Sequence, residues 1–95
     1  MKKIFMVSLV MNGLLGGAIV AGDEAITYNT GKVTVPREYR HLEMRYEDIS
    51  GVTMGWLLFL PIVTVKMRTE KEYRFVMFFG RKRLVDLLVE KGVNA

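Results

Sequence analysis

The chain has 95 residues, 51% hydrophobic and 25% charged, with two prolines, one histidine and no cysteine; that describes one packed domain, residues 1–95, too short for two cores and too apolar for disorder. Disulfides, thiol chemistry and cysteine-ligated zinc or iron–sulfur centres are excluded, and the lone His41 cannot supply a zinc site, so neither metal nor cofactor is expected. Fourteen Lys and Arg against ten Asp and Glu leave +4, all of it beyond residue 31 and densest from Lys66 to Arg83; such a bias suits anionic partners, and equally it suits plain solubility.

In chain order, Lys2 and Lys3 precede nineteen uncharged residues, Ile4 to Gly22. This run has the outline of a signal peptide or a short membrane span. Asn12 and four glycines (Gly13, Gly16, Gly17, Gly22) weaken a spanning helix. A pair of core strands is the alternative and the preferred expectation: Ile4 to Met11, then Ala18 to Ala21 after a Gly-Gly break. Gly22-Asp23-Glu24 reads as a turn into Ala25 to Asn29, and Lys32 to Val35 as a short strand stopped by Pro36.

Leu42-Glu43-Met44-Arg45-Tyr46 alternates strictly, with Leu42, Met44 and Tyr46 on one face of a half-buried strand. Ile49 to Met54 is another strand, interrupted by Gly51 and ended by Gly55. Ile62 to Arg68 places Val63, Val65 and Met67 on one face. Across the polar Thr69 to Glu72, Tyr73 to Phe79 does the same with Tyr73, Phe75, Met77 and Phe79, so these two form an antiparallel hairpin. After Gly80 the period becomes helical: Leu84, Val85, Leu87 and Leu88 share a side, and Gly92 stops the helix just past Lys91. The sum is a mainly β chain of about seven strands capped by one C-terminal α-helix.

The segments Gly16 to Tyr28, Tyr46 to Val52, Lys71 to Val76 and Arg83 to Leu88 follow one another as a glycine-led strand with an acidic turn, a linker, a last strand and a capping helix. That order resembles the pleckstrin-homology-like superfold, in particular bacterial PH-like and GRAM-type domains, over about residues 16 to 91. The resemblance implies a small antiparallel PH-like barrel, a binding role and no catalytic residues. One departure stands out: Ala18, Val20 and Ala21 are small and apolar where the first hairpin is usually polar, which suits an interface.

Few residues offer chemistry. Asp23-Glu24 and Glu47-Asp48 are adjacent carboxylates in turns, pointing to solvent rather than into a cleft. Ser8 and Ser50 lack a nucleophile-elbow setting, a triad would rest wholly on His41, and no phosphate-binding glycine loop occurs. The expectation is therefore a non-enzymatic module. Two candidate contacts remain. Arg81, Lys82 and Arg83 open the terminal helix, where cations oppose the dipole, as a candidate anion or lipid contact; splaying into water or pairing with Glu70, Glu72 or Asp86 is the alternative. Trp56, Leu57 and Phe59, in the apolar run Gly55 to Pro61, form a candidate contact loop. Alternation sets Tyr73 and Phe75 opposite Arg74, so base stacking on nucleic acid is disfavoured. The expected role is protein contact or homo-oligomerisation through apolar surface near residues 14–21 or 55–61. The expected location is cytoplasmic, with peripheral binding to anionic phospholipid as the alternative.

Overall fold

The apolar N-terminal run is a hairpin in the structure, a computed structural model that describes residues 3–11, 13–31 and 37–95. Its strands are β1 (Lys3–Val10) and β2 (Leu14–Ala21), and the turn closes with Met11 N–H donating to Gly13 O at 2.9 Å. Gly16-Gly17 does not break the strand as the sequence suggests: pairing runs unbroken through Ser8↔Gly16, Val7↔Gly17 and Met6↔Ala18. Gly17 is there for a packing reason. A Cβ at this position would collide with the Asn29 carbonyl oxygen and stand 2.8 Å from the Tyr28 ring, which is fully buried beneath it. Among the described residues no helix is long and apolar enough to cross a membrane.

A two-residue turn, Asp23-Glu24, leads to β3 (Ala25–Asn29), with Gly22 N–H donating to Ala25 O at 2.9 Å. The strand expected at Lys32 to Val35 lies outside the described residues. A short helix, α1 (Arg37–Arg40), precedes β4 (His41–Arg45). Met44 is buried as its alternation demands, and Tyr46 joins the core from a 3-10 turn at Tyr46–Asp48.

β5 (Ile49–Leu57) carries a register irregularity between Ile49 and Gly51. It runs past Gly55 to Trp56 and Leu57, because pairing with the following strand continues through Gly55↔Ile62, Trp56↔Pro61 and Leu57↔Leu60. β6 (Leu60–Met67) returns through the two-residue turn Leu58-Phe59, where Leu58 adopts φ +57. β7 (Glu72–Val76) completes the sheet, and α2 (Arg81–Glu90) follows. Gly92, at φ +92, supplies the left-handed conformation that ends the helix.

Every neighbouring pair is antiparallel, in the order β4-β3-β2-β1-β7-β6-β5. Two meanders are thus joined by a short β1–β7 ladder, Ser8↔Val76 and Leu9↔Phe75. The order is linear, so the expected barrel is corrected to an open seven-stranded sheet. Closure would need β4 to pair with β5, and among the described residues these two are the ends of the order and do not pair, while the turn between them is tied to other turns. Tyr46 N–H donates to Glu24 O at 3.0 Å, and Arg68 N–H to Asp48 O at 2.8 Å.

The inner face of the sheet and α2 share one core. Phe5, Val7 and Leu9 of β1, Ile26 and Tyr28 of β3, Val63 and Val65 of β6 and Phe75 of β7 meet Leu84 and Leu88 of the helix there. The Tyr28 and Phe75 rings lie 5.6 Å apart, centroid to centroid. Tail residue Val93 is also buried, and Asn94 O accepts from Val52 N–H at 2.8 Å, covering part of the β5 edge.

Candidate functional site

Because Phe5, Val7 and Leu9 turn inward, Ile4, Met6, Ser8 and Val10 turn out. The register sets Val20, Ala18, Gly16 and Leu14 beside them. These eight positions hold no charge and one hydroxyl. Val76, opposite Ser8 on β7, and Ile62, opposite Val76 on β6, lie on the same side of the sheet but are buried. An antiparallel sheet normally turns polar side chains to water, yet here Ile4 is 67% and Met6 76% exposed. A depression of about 520 Å³ is lined by Met6, Ser8, Gly16, Val76 and Phe78, among others. Gly16 differs from its neighbour Gly17: no atom lies within 4 Å of the place its Cβ would take. The single-chain fold has no steric need for a glycine there.

A second apolar surface begins where β7 stops. The alternation read through Phe79 ends at Val76, and Phe78 and Phe79 leave the core face to stand exposed in the turn before α2. With Ile4, Met6 and Arg83 they line a groove of about 460 Å³. Gly80 makes that turn possible. Its φ is +85, and an added Cβ would sit 3.3 Å from the Phe5 ring. Leu58 and Phe59 project at the β5–β6 turn, each at least 80% exposed.

The three cations at the start of α2 have three different environments. Arg81 is a clip: its Nη1 donates to Gly55 O at 2.9 Å, with Ile62 O at 3.4 Å, and its guanidinium lies 5.1 Å from the Trp56 ring centroid. Lys82 pairs with Asp86 at 3.0 Å, one turn along the exposed side of the helix. Arg83 is exposed, and among the described residues it makes neither ion pair nor hydrogen bond. Of the candidate loop, Trp56 is held by Arg81, Leu57 is half-buried at the last cross-strand pair with Leu60, and Phe59 projects. Ile4, Met6, Phe78 and Phe79 are surface residues that no sequence motif singles out. For Ile4 and Met6 the signal is the unbroken apolar run at both parities of β1.

The remaining polar groups hold the fold together. His41 is exposed, with Nδ1 2.6 Å from Asn29 Oδ1. Arg45 bridges Glu47 at 3.1 Å and Glu24 at 3.3 Å, and its hydrogen bond to Glu47 favours the charged guanidinium. Burial raises the pKa of Tyr28 and of Tyr46. Their hydroxyls donate to Leu15 O at 2.5 Å and to Gly22 O at 2.7 Å.

No protein-family model matches the chain, and no curated protein matches it. It is similar to a solved structure, the C-terminal domain of an unknown protein from Leishmania infantum, with a TM-score of 0.76 at 13% identity over 93% of this chain and 79% of that one. At that identity the likeness establishes architecture alone: a small, mostly β domain with one C-terminal helix. The PH-like and GRAM-type identity read from motif order is accordingly corrected. No family model supports it, and the sheet is not the barrel it implies.

Proposed function

We propose that this domain is a non-enzymatic binding and assembly module that works by burying the outer face of the β1–β2 hairpin against protein, most directly against another copy of itself. The observation that carries this reading is the uncharged outer face itself, eight consecutive outward positions from Ile4 to Val10 and from Leu14 to Val20. Contiguous exposed apolar surface of this kind is the usual mark of an interaction site, and each Å² removed from water contributes about 25 cal/mol before the costs of association. The non-catalytic part of the reading draws on the single histidine, which is exposed beside Asn29 rather than set in a cleft.

Sedimentation velocity over about 1 μM to about 1 mM, the range of modest interfaces, is the test. The expected result is a rise from the 10.9 kDa species toward twice that mass. A single 10.9 kDa species at every concentration overturns the reading.

A second reading, peripheral attachment to anionic phospholipid, is favoured by one specific arrangement: Phe78 and Phe79 project beside Arg83, which no acid pairs among the described residues. Aromatic side chains that enter the headgroup region next to a free cation give adhesion that is lipid-selective and screened by salt. The expected result is co-flotation with anionic but not neutral vesicles, fading with salt and lost in Arg83→Glu. Absence of flotation at low salt removes this reading.

A further inference from the structure

We propose that the free half of the β1 edge, at Ile4 and Met6, is a docking slot for an extended acidic peptide of a partner protein, which adds to β1 as a strand in the track that β7 leaves and sets one carboxylate on Arg83. The contact is the backbone of β1 rather than the outer face of the hairpin. It therefore goes beyond the assembly reading and is independent of self-association.

The two sides of β1 are served unequally. All eight of its residues pair with β2, whereas only Ser8 and Leu9 pair with β7. Which backbone groups face which neighbour follows from one bond. Met11 N–H donates to Gly13 O in the register of the β1–β2 ladder, and in an antiparallel pair the bonded rungs fall on alternate residues. Leu9, Val7, Phe5 and Lys3 thus bond to β2, while Ser8, Met6 and Ile4 turn their N–H and C=O groups toward β7. Ser8 meets Val76 there. Continued in the same register, Met6 and Ile4 would meet Phe78 and Gly80, but Met77 N–H has turned to Pro61 O at 3.0 Å and the chain leaves the sheet. Two donors and two acceptors are left with no backbone partner among the described residues.

Unpaired backbone on a strand edge is a template for another strand. Strand addition draws its affinity from such main-chain bonds and its specificity from pockets for alternate side chains. Two pockets flank the slot. A residue paired with Met6 shares its side of the sheet, where the hollow of about 520 Å³ lies by Met6, Ser8 and Phe78 and suits an apolar side chain. The next residue points to the other side, toward the groove of about 460 Å³ that Phe5, Phe79 and Arg83 line. Among the described residues no acid lines that groove and Arg83 has no partner, so a carboxylate is the complementary group. The ten acidic residues of this chain sit in turns, strands and helices of its own fold, so the segment comes from another protein, which the +4 charge attracts.

The probe is a capped octapeptide of alternating Val and Glu, titrated into the full chain and followed by amide NMR and calorimetry. In the free chain the Met6 amide is expected to exchange with solvent at least about 10-fold faster than those of Phe5 and Val7, and bound peptide slows it to their rate. The same peptide N-methylated at alternate residues along its bonding edge, and a Val–Lys octapeptide, are expected to bind at least about 10-fold more weakly. Arg83→Glu reverses the preference between the Glu and Lys peptides. Met6→Pro removes an N–H that the fold does not use and abolishes binding with the far-UV circular dichroism unchanged; if that variant does not fold, the N-methylated peptide decides. The proposal falls if the Val–Glu peptide does not bind at about 1 mM, if N-methylation costs nothing, if Arg83→Glu leaves the preference as it was, or if the free Met6 amide is as protected as that of Val7. A chain that stays monomeric in sedimentation yet binds the peptide removes the assembly reading and keeps this slot; one that associates but does not bind does the reverse.

Discussion

On β3 and β4 the outward positions are Ala25, Thr27 and Asn29 beside Arg45, Glu43 and His41, while on β1 and β2 they are Ile4, Met6, Ser8 and Val10 beside Val20, Ala18, Gly16 and Leu14. The inward positions of the two hairpins are alike: Phe5, Leu9 and Ile19 on one and Ile26, Tyr28 and Met44 on the other are all buried. Both hairpins therefore hold the same core, and they part only on the side that faces away from it. A strand with one wet face alternates and announces itself as a strand. A strand with apolar side chains on both faces reads as a continuous apolar run, which in sequence looks like a membrane segment.

The sharpest break of this comparison lies between the two adjacent glycines of β2. Gly17→Val is expected to cost about 3 kcal/mol or more, since the branched side chain enters space held by the Asn29 carbonyl and the buried Tyr28 ring; a drop in Tm of many degrees in a thermal melt checks it. Arg81→Ala comes next, at about 1–2 kcal/mol, because charge-assisted bonds from the helix to Gly55 and Ile62 carbonyls are lost at a partly exposed site. Trp56 is the single tryptophan, so its fluorescence reports directly whether the β5–β6 hairpin has come away from α2.

A pH series tests the inner face. Tyr28 and Tyr46 have pKa values raised above 10.0 by burial, so the folded state favours their neutral forms. Their contribution to stability is complete below pH 10 and is lost as the pH climbs from there through the raised values. Denaturant melts are expected to be flat in this respect at neutral pH and to weaken in alkali, less steeply in Tyr28→Phe. The smallest effect belongs to the outer face. Gly16→Val is expected to stabilise the isolated fold by about 0.5–1 kcal/mol while weakening self-association. Loss of monomer stability would show that the face is packed within one chain after all.

Much of the fold was legible because its signals are local. Leu42, Met44 and Tyr46, and Val63 and Val65, keep period two because β4 and β6 each have one wet face. Leu84, Val85, Leu87 and Leu88 keep the helical period and are the four buried residues of α2. The errors arose where a local signal has two physical meanings. Glycine breaks some strands, but Gly17 is present because the Asn29 carbonyl and the Tyr28 ring lie where a side chain would go, and Gly55 is simply carried within β5. Phe79 continues an alternation whose strand has already ended, and a meander of seven strands is equally a barrel or an open sheet until its edges are seen. The candidate surface was legible in part. Small apolar residues in the first hairpin flagged β2, and Gly55 to Pro61 flagged the β5–β6 tip, while Phe79 passed as a core residue.

The sequence by itself determined which side chains must leave water and at what period, since transfer free energy and backbone geometry act residue by residue. Strand and helix content, a core shared with a C-terminal helix and a +4 surface follow from that. The tertiary structure alone decided that the sheet stays open, that Arg81 is a clip while Arg83 has no partner among the described residues, and that the apolar outward positions of β1 and β2 lie side by side. Those facts depend on register and on which backbone groups find partners far along the chain, and such pairings leave no periodic trace in the order of residues.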